Sequence, residues 1–491
     1  MLMKFALIRL QPGKRAALAL ATGTVLLGGC ASLPDPAIAT HARDAVAAER
    51  TFAAFPVAGW PGDGWWRGFG DAQLDALVEA GLAGSPDVEV ANARLRRASA
   101  AAQEAGAALL PRIDATGSAT LGKQSLNTGM PKDFVPRGWK DSGQIAAQAS
   151  LDLDLWGRNR AALAAATSEA EAAAIESRQA RLVLSSAIAE AYFDLARMHA
   201  ERDIRANALR VRETSAKLVS DKLASGLETR GNVRQAESEV AAARGALVAA
   251  DQALAAKRNE IAAFIGAGPD RALEITAPRL ADASTAGLPT DATTALVGRR
   301  PDIAAARARV EAAASRIRVA RADFFPAIRL DALFGLQSLG IGNLIDSDAN
   351  FGNVGPAISL PIFHGGALKG RYRQAEAGFD EAVALYDGTV VQAYREVADA
   401  VTAQSAWSRR LIDARAARSA SEDAYRIARL RYDGGLSTYL DVLAVEDRLL
   451  EARLAVAAVE AGARTNDVLL IRALGGGFGE ELQESPTDGR S

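Results

Sequence analysis

Gly226-Leu227-Glu228-Thr229 recurs 209 residues later as Gly435-Leu436-Ser437-Thr438, and the segments behind both stretches carry one apolar pattern. Val233, Ala236, Val240, Ala243, Leu247 and Ala250 step by three and four, and Val442, Val445, Leu449, Ala452, Val456 and Val459 repeat those steps at the same offset. A 3-4 apolar repeat is a coiled-coil seam. Six positions in register behind a matching glycine turn mark an internal duplication, and a duplication sets the architecture of the chain. Upstream, Pro86-Asp87-Val88 returns as Pro301-Asp302-Ile303 and Pro111 as Pro326, both after 215 residues. Leu151-Asp152-Leu153-Asp154-Leu155-Trp156 is matched by Ile358-Ser359-Leu360-Pro361-Ile362-Phe363.

Each copy reads in the same order: helix, strand, polar loop, strand, very long helix, tight turn, long returning helix. In the first copy the pattern predicts a helix over 72–109 ended by Pro111, strands near 113–121 and 143–155, and a hairpin over 158–265. Arg158 to Leu223 contains neither proline nor glycine, so one helix of about 100 Å can run through it. The second copy predicts a helix over 302–323, strands near 328–336 and 354–362, and a hairpin over 368–474. The domain order is then 1–29 leader, 30–70 linker, 71–265 first repeat, 266–298 equatorial connector, 299–474 second repeat and 475–491 tail.

The leader sets the compartment. Lys4, Arg9, Lys14 and Arg15 precede a short apolar run from Ala16 to Leu27, and Leu27-Gly28-Gly29-Cys30 follows. That run is shorter than the about 20 residues of a spanning helix, and its flanks are those of a secretory signal. It resembles a bacterial lipobox, which makes Cys30 the expected lipid carrier. Ala31 and Ser32 follow with no aspartate, which in that class favours passage to the outer membrane. Cys30 is the only cysteine, so no internal disulfide forms. The alternative is an ordinary secreted chain whose signal ends beside a cysteine.

Beyond the leader no apolar stretch reaches 18 residues, so any membrane crossing is by strands. Strands of about 9–11 residues suit an outer-membrane barrel. In lipid every backbone N–H and C=O needs a partner, so such a sheet has to close. Four strands per chain are too few, because the smallest of these barrels have about eight. The chain therefore shares a barrel with copies of itself, two copies giving eight strands and three giving twelve. A formal charge of −2 gives no reason to expect a nucleic-acid partner.

Trp65-Trp66-Arg67-Gly68-Phe69-Gly70-Asp71-Ala72-Gln73-Leu74-Asp75-Ala76-Leu77 resembles the opening signature of the TolC-like outer-membrane factors, in the NodT-type lipoprotein branch. Leu151–Arg158, Leu360–Phe363 and Gly435–Val442 are similar to further motifs of that family, in the same order. The resemblance implies an α+β membrane protein. Its trimer forms a 12-stranded outer-membrane β-barrel continuous with a periplasmic α-helical barrel. It implies a periplasmic adaptor, an inner-membrane pump, often of the resistance-nodulation-division type, and passive export of drugs or other small molecules. The family's periplasmic gate falls on Asp441, with Asn232 as the non-acidic counterpart in copy one and Ala444 at a second position that is acidic in some members. Adaptor contact falls on the turns, at Gly226, Leu227 and Thr229 and at Gly435, Leu436, Ser437 and Thr438. Plain structural readings stand beside these. Asp441 also suits the first turn of a helix, where a carboxylate offsets the positive end, and the glycines suit turns needing positive φ.

No enzyme is expected. His41, His199 and His364 are not paired at metal-ligand spacing, and Gly475-Gly476-Gly477 lacks a lysine partner and reads as a helix stop. No metal site and no cofactor is expected beyond the lipid on Cys30. Phe134, Trp139, Phe324, Phe325, Phe334, Phe351 and Phe363 gather near strand ends, as interfacial girdles or as packing. A coiled-coil envelope spacer without a pore is the competing architecture, and it gives no reason for two strand pairs with long polar loops.

Overall fold

A computed structural model describes residues 46–52, 57–127, 129, 131–280 and 287–478. Cys30, the leader and His41 lie outside the described residues. The principal elements are α1 (Ala72–Gly84), α2 (Pro86–Ala107), β1 (Arg112–Gly122), β2 (Lys140–Asp152), α3 (Arg158–Ala224), α4 (Arg230–Phe264), α5 (Pro301–Ala322), β3 (Ala327–Leu339), β4 (Asn350–Ser359), α6 (Ala367–Asp433) and α7 (Tyr439–Ala473). Among the described residues no helix is long and apolar enough to cross a membrane.

The chain divides into two compact units that cut across the two repeats. The reason is strand pairing. All four strands form one antiparallel sheet in the order β1-β2-β3-β4, so β2 of the first repeat pairs with β3 of the second. The strands belong with the flanking residues 96–171 and 308–384.

Directly opposed residues share a face, and the register sorts this sheet into two. Ile113, Ala149, Ala332 and Val354 are aligned across it, as are Ala115, Ala147, Phe334 and Gly352. The other face carries Asp114, Thr116, Ser118 and Thr120 from β1, Gln144 and Gln148 from β2, Gln337 from β3 and Asn353 from β4. Leu333, Leu339 and Phe351 are apolar exceptions on it. The apolar side is exposed: Phe334 is 69%, Val354 76% and Ile358 70% accessible.

Several expected boundaries move: β2 starts at Lys140 rather than 143, β3 ends at Leu339 rather than 336 and β4 starts at Asn350 rather than 354. The helix over 72–109 is two helices, α1 and α2, because Ser85 before Pro86 takes the extended ψ of 130° that a following proline ring favours. β2 ends at Asp152 rather than 155, because Asp154 turns the chain with φ 43°. β4 ends at Ser359 rather than 362, two residues before Pro361, which has no N–H for a ladder.

The second unit comprises Ala42–Leu95, Ala172–Arg307 and Leu385–Ser491. Its principal core joins Trp65, Trp66, Leu74, Leu77, Val78, Ile188, Tyr192, Phe193 and Ile261. The aromatic opening signature is thus core from Trp65 onward. Asp71 ties it down: its carboxylate accepts from the Gln73 amide at 2.9 Å, the Tyr192 hydroxyl at 2.7 Å and the Arg279 amide at 2.7 Å. Burial raises its pKa, but these donors outweigh burial and hold it below the usual carboxylate range. The glycine run does more than stop α7. A Cβ on Gly475 would stand 1.9 Å from the Arg299 carbonyl oxygen, and one on Gly477 2.5 Å from the Asp63 amide nitrogen. Gly475–Phe478 are therefore packed chain rather than the start of a free tail.

Candidate functional site: the paired hairpin tips

The two turns are built alike. Gly226 and Gly435 both adopt φ 72°, where only glycine is unstrained. The Leu227 amide donates to the Lys222 carbonyl at 2.8 Å and the Gly226 amide to Leu223 at 3.0 Å. The Leu436 amide likewise donates to Arg431 at 2.7 Å and the Gly435 amide to Tyr432 at 3.1 Å. Both are Schellman endings, which satisfy the last carbonyls of α3 and α6. A threonine then opens each returning helix. The hydroxyl of Thr229 accepts from the Asn232 amide at 3.2 Å, and that of Thr438 from the Asp441 amide at 3.3 Å.

The copies part at the second half of the cap. Asp441 completes a capping box: its Oδ2 accepts from the Thr438 amide at 2.9 Å and the Thr438 hydroxyl at 2.8 Å. Those hydrogen bonds hold the exposed Asp441 carboxyl below its ordinary range. Asn232 cannot accept in that way through its amide nitrogen, and Glu228 supplies the carboxylate instead. Glu228 Oε2 accepts from the Thr229 amide at 3.2 Å and from Asn232 Nδ2 at 2.7 Å. The missing acid of the first copy is thus restored four residues upstream.

Glu228 also reaches the other hairpin. Its Oε1 accepts from the Tyr432 hydroxyl at 2.9 Å, while Lys222 Nζ donates to the Tyr432 carbonyl at 3.1 Å and lies 3.8 Å from the ring centroid. Burial raises the Glu228 pKa, but bonds from Asn232, Tyr432 and the Thr229 amide outweigh it and hold it below the usual range. Burial, then Glu228, pushes the Tyr432 phenol upward, so it remains a donor. Behind this contact an apolar cluster of Val219, Ala236, Tyr432, Tyr439, Val442 and Leu443 joins the hairpins.

Beyond the cluster stands a buried charge network. Arg212 donates to Glu446 at 3.2 Å, Glu239 at 3.1 Å and Asp447 at 2.5 Å. It links α3 and α4 with α7. Burial raises the Glu446 pKa and Arg212 only partly offsets that. Burial, followed by Glu446 and Glu239, pushes the Tyr439 phenol up to about 12. Removing one partner of such a buried network costs more than the pair contributes, because a charge is left unpaired.

At the tips Gly226, Leu227, Thr229, Gly435, Leu436 and Thr438 are exposed and Ser437 is half-buried. Leu227 is 75% and Leu436 73% accessible, at the same place in each turn. Ala444 is also exposed. The sequence singles out the turns and Asp441 but assigns Glu228, Tyr432, Lys222 and Arg212 no part in joining the hairpins. Tyr432 and Glu228 are 204 positions apart, so no local pattern joins them. Of the histidines, His199 Nε2 lies 3.2 Å from Arg258 and His364 follows β4. Among the described residues no three His, Cys, Asp or Glu side chains gather in a metal-binding group.

The model of the outer membrane efflux protein family matches residues 77–267 and 294–476, one segment in each repeat. The fusaric acid resistance protein FusA of Burkholderia cepacia is 35% identical over 382 residues, covering 75% of this chain and 71% of that protein. The toluene efflux pump outer membrane protein TtgC of Pseudomonas putida is 29% identical over 495 residues, covering 96% and 97%. Among solved structures, the outer membrane protein VceC of Vibrio cholerae aligns with a TM-score of 0.80 at 42% identity, over 85% of this chain and all of that one. The outer-membrane channel OprN aligns with a TM-score of 0.80 at 29% identity, over 90% and 98%. A duplicated strand-pair and helix-hairpin chain, matched in both copies and over most of its length, leaves one assignment: the chain belongs to the outer membrane efflux protein family, whose members are channels rather than enzymes.

Proposed function

We propose that this chain is the exit duct of a tripartite export system, conducting small molecules passively from the periplasm to the outside. The observation that carries the proposal is the sheet. It has one apolar and one polar face and unpaired edges at β1 and β4. A lipid-facing sheet cannot leave edges open, so copies of the chain have to close it. Three copies give a 12-stranded barrel, as the family resemblance implies. Its lining carries Thr, Ser, Gln and Asn through its middle, with charges toward the helical end at Arg112, Asp114, Asp152, Arg329 and Asp331 and at the opposite end at Lys140. Such a lining passes solutes without holding them.

The tips form the closure. Three copies of Asp441 around an axis repel one another and attract cations. The Tyr432–Glu228 bond and the Lys222 contact hold each pair of hairpins together, so opening has to break them. Leu227 and Leu436 present matched apolar points to a periplasmic adaptor, which couples the duct to an inner-membrane pump of the resistance-nodulation-division type. The energy is the pump's, and no group on this chain performs chemistry. Cys30 carries the lipid that tethers the N-terminus to the outer membrane.

Two measurements test this reading. Deleting the gene should increase sensitivity to at least one antimicrobial, with the wild-type gene restoring resistance. Unchanged susceptibility and unchanged accumulation of every compound tried would count against export. Radiolabelled palmitate should enter the wild type and not Cys30→Ser, and label persisting in the variant would refute the anchor.

A further inference from the structure

The structure assigns a second site at the foot of the sheet: a recess beside Trp156 that binds the phosphate headgroup of an anionic glycerophospholipid in the periplasmic leaflet. The assignment rests on the placement in the outer membrane. The apolar side of the sheet outlasts its ladder. Leu153 still donates its amide to the Ile328 carbonyl at 3.1 Å, and just past the ladder Leu153, Leu155, Leu360, Ile362 and Phe363 are exposed apolar side chains. Phe363 is 87% accessible. Asp154 then turns the chain, and its carboxylate accepts from the amides of Asn159 at 2.9 Å and Arg160 at 3.0 Å, starting α3.

At this boundary Trp156 is fixed but half exposed. Its Nε1 donates to the Pro326 carbonyl at 2.8 Å and its ring stacks on Phe325 at 4.8 Å. An indole held so, between apolar strip and polar helix, is an interfacial anchor. Against it opens a recess of about 450 Å³ floored by Gly157, Ala161 and Ala164 and walled by Arg160, Arg318, Arg321 and Phe325. No acidic residue lines it. The nearby carboxylates are already used: Asp154 by Arg160 at 3.2 Å and Asp323 by Arg158 at 2.7 Å. Arg318 gives one N–H to the Ser315 hydroxyl at 2.8 Å, and the Arg321 guanidinium has no hydrogen-bond or ion-pair partner among the described residues.

Two arginines without carboxylates, aimed into a recess, call for an anion, and guanidinium matches phosphate geometry. The adjoining strip calls for acyl chains. One molecule satisfies both. A free phosphate satisfies only the first.

The test is native mass spectrometry of the full-length protein in neutral detergent. It is titrated with phosphatidylglycerol, phosphatidylcholine of the same chains, and inorganic phosphate. The site predicts retention of phosphatidylglycerol over phosphatidylcholine, with no displacement by inorganic phosphate. Arg318→Gln with Arg321→Gln should weaken phosphatidylglycerol about 30-fold and leave phosphatidylcholine unchanged. Arg318→Lys with Arg321→Lys should keep most of the preference. Equal retention of both lipids, displacement by phosphate, undiminished binding in the glutamine variant, or equal loss in the lysine variant would each overturn it. Conductance of the same samples reads the duct independently, so failure of this site leaves that reading separately testable.

Discussion

At the scale of single residues, the contact that matters most is the hydrogen bond from Tyr432 to Glu228, since it joins hairpins from different repeats at 2.9 Å. A hydrogen bond to a charged acceptor contributes about 1.5–3 kcal/mol, enough to shift a two-state balance tenfold or more. Tyr432→Phe keeps the ring in its cluster and removes the donor. If the tips close the duct as proposed, it should raise mean conductance severalfold in planar bilayers, and an unchanged conductance would show that the bond does not restrain the tips. The pH dependence follows from the lowered pKa of Glu228. A group depressed on folding stabilises above its unfolded pKa and loses that contribution as pH falls through the folded one. The wild-type closure should therefore be flat from pH 7 to about 5 and loosen only below about pH 4. The turn glycines and the Thr438–Asp441 cap were legible from sequence, because both are local rules. Glu228 was not. Alignment of the copies set Asn232 opposite Asp441, whereas the carboxylate arrives from the preceding turn.

Among the elements, the long helices were the most legible. Arg158 to Leu223 has no breaker, and the seam positions Ala236, Ala243, Val442, Leu449, Val456 and Val459 are all buried. Strand ends were less so. Alternation runs on through Leu153 and Leu155, but a ladder needs paired amides as well as a pattern, and Asp154 turns away. The break at Ser85-Pro86 was readable from the constraint before proline, yet the alanine-rich run around it hid the stop. Pairing of β2 with β3 was not legible at all. A repeat pattern describes each copy, whereas this ladder joins Ile145 of one copy to Leu336 of the other. The same limit hid Arg212, whose carboxylates come from α4 and α7.

For the whole molecule, the decisive fact is a sheet that cannot exist alone in lipid. Its apolar face needs a bilayer, its polar face needs water, and its edges need other strands. Helices supply no substitute, since none of those described can span a membrane. Closure by copies of the same chain meets all three needs and leaves a water-filled lumen. The most direct test is a planar-bilayer recording of the purified protein paired with its native mass. A trimer that conducts in discrete steps is the predicted result, and a non-conducting monomer would contradict the account.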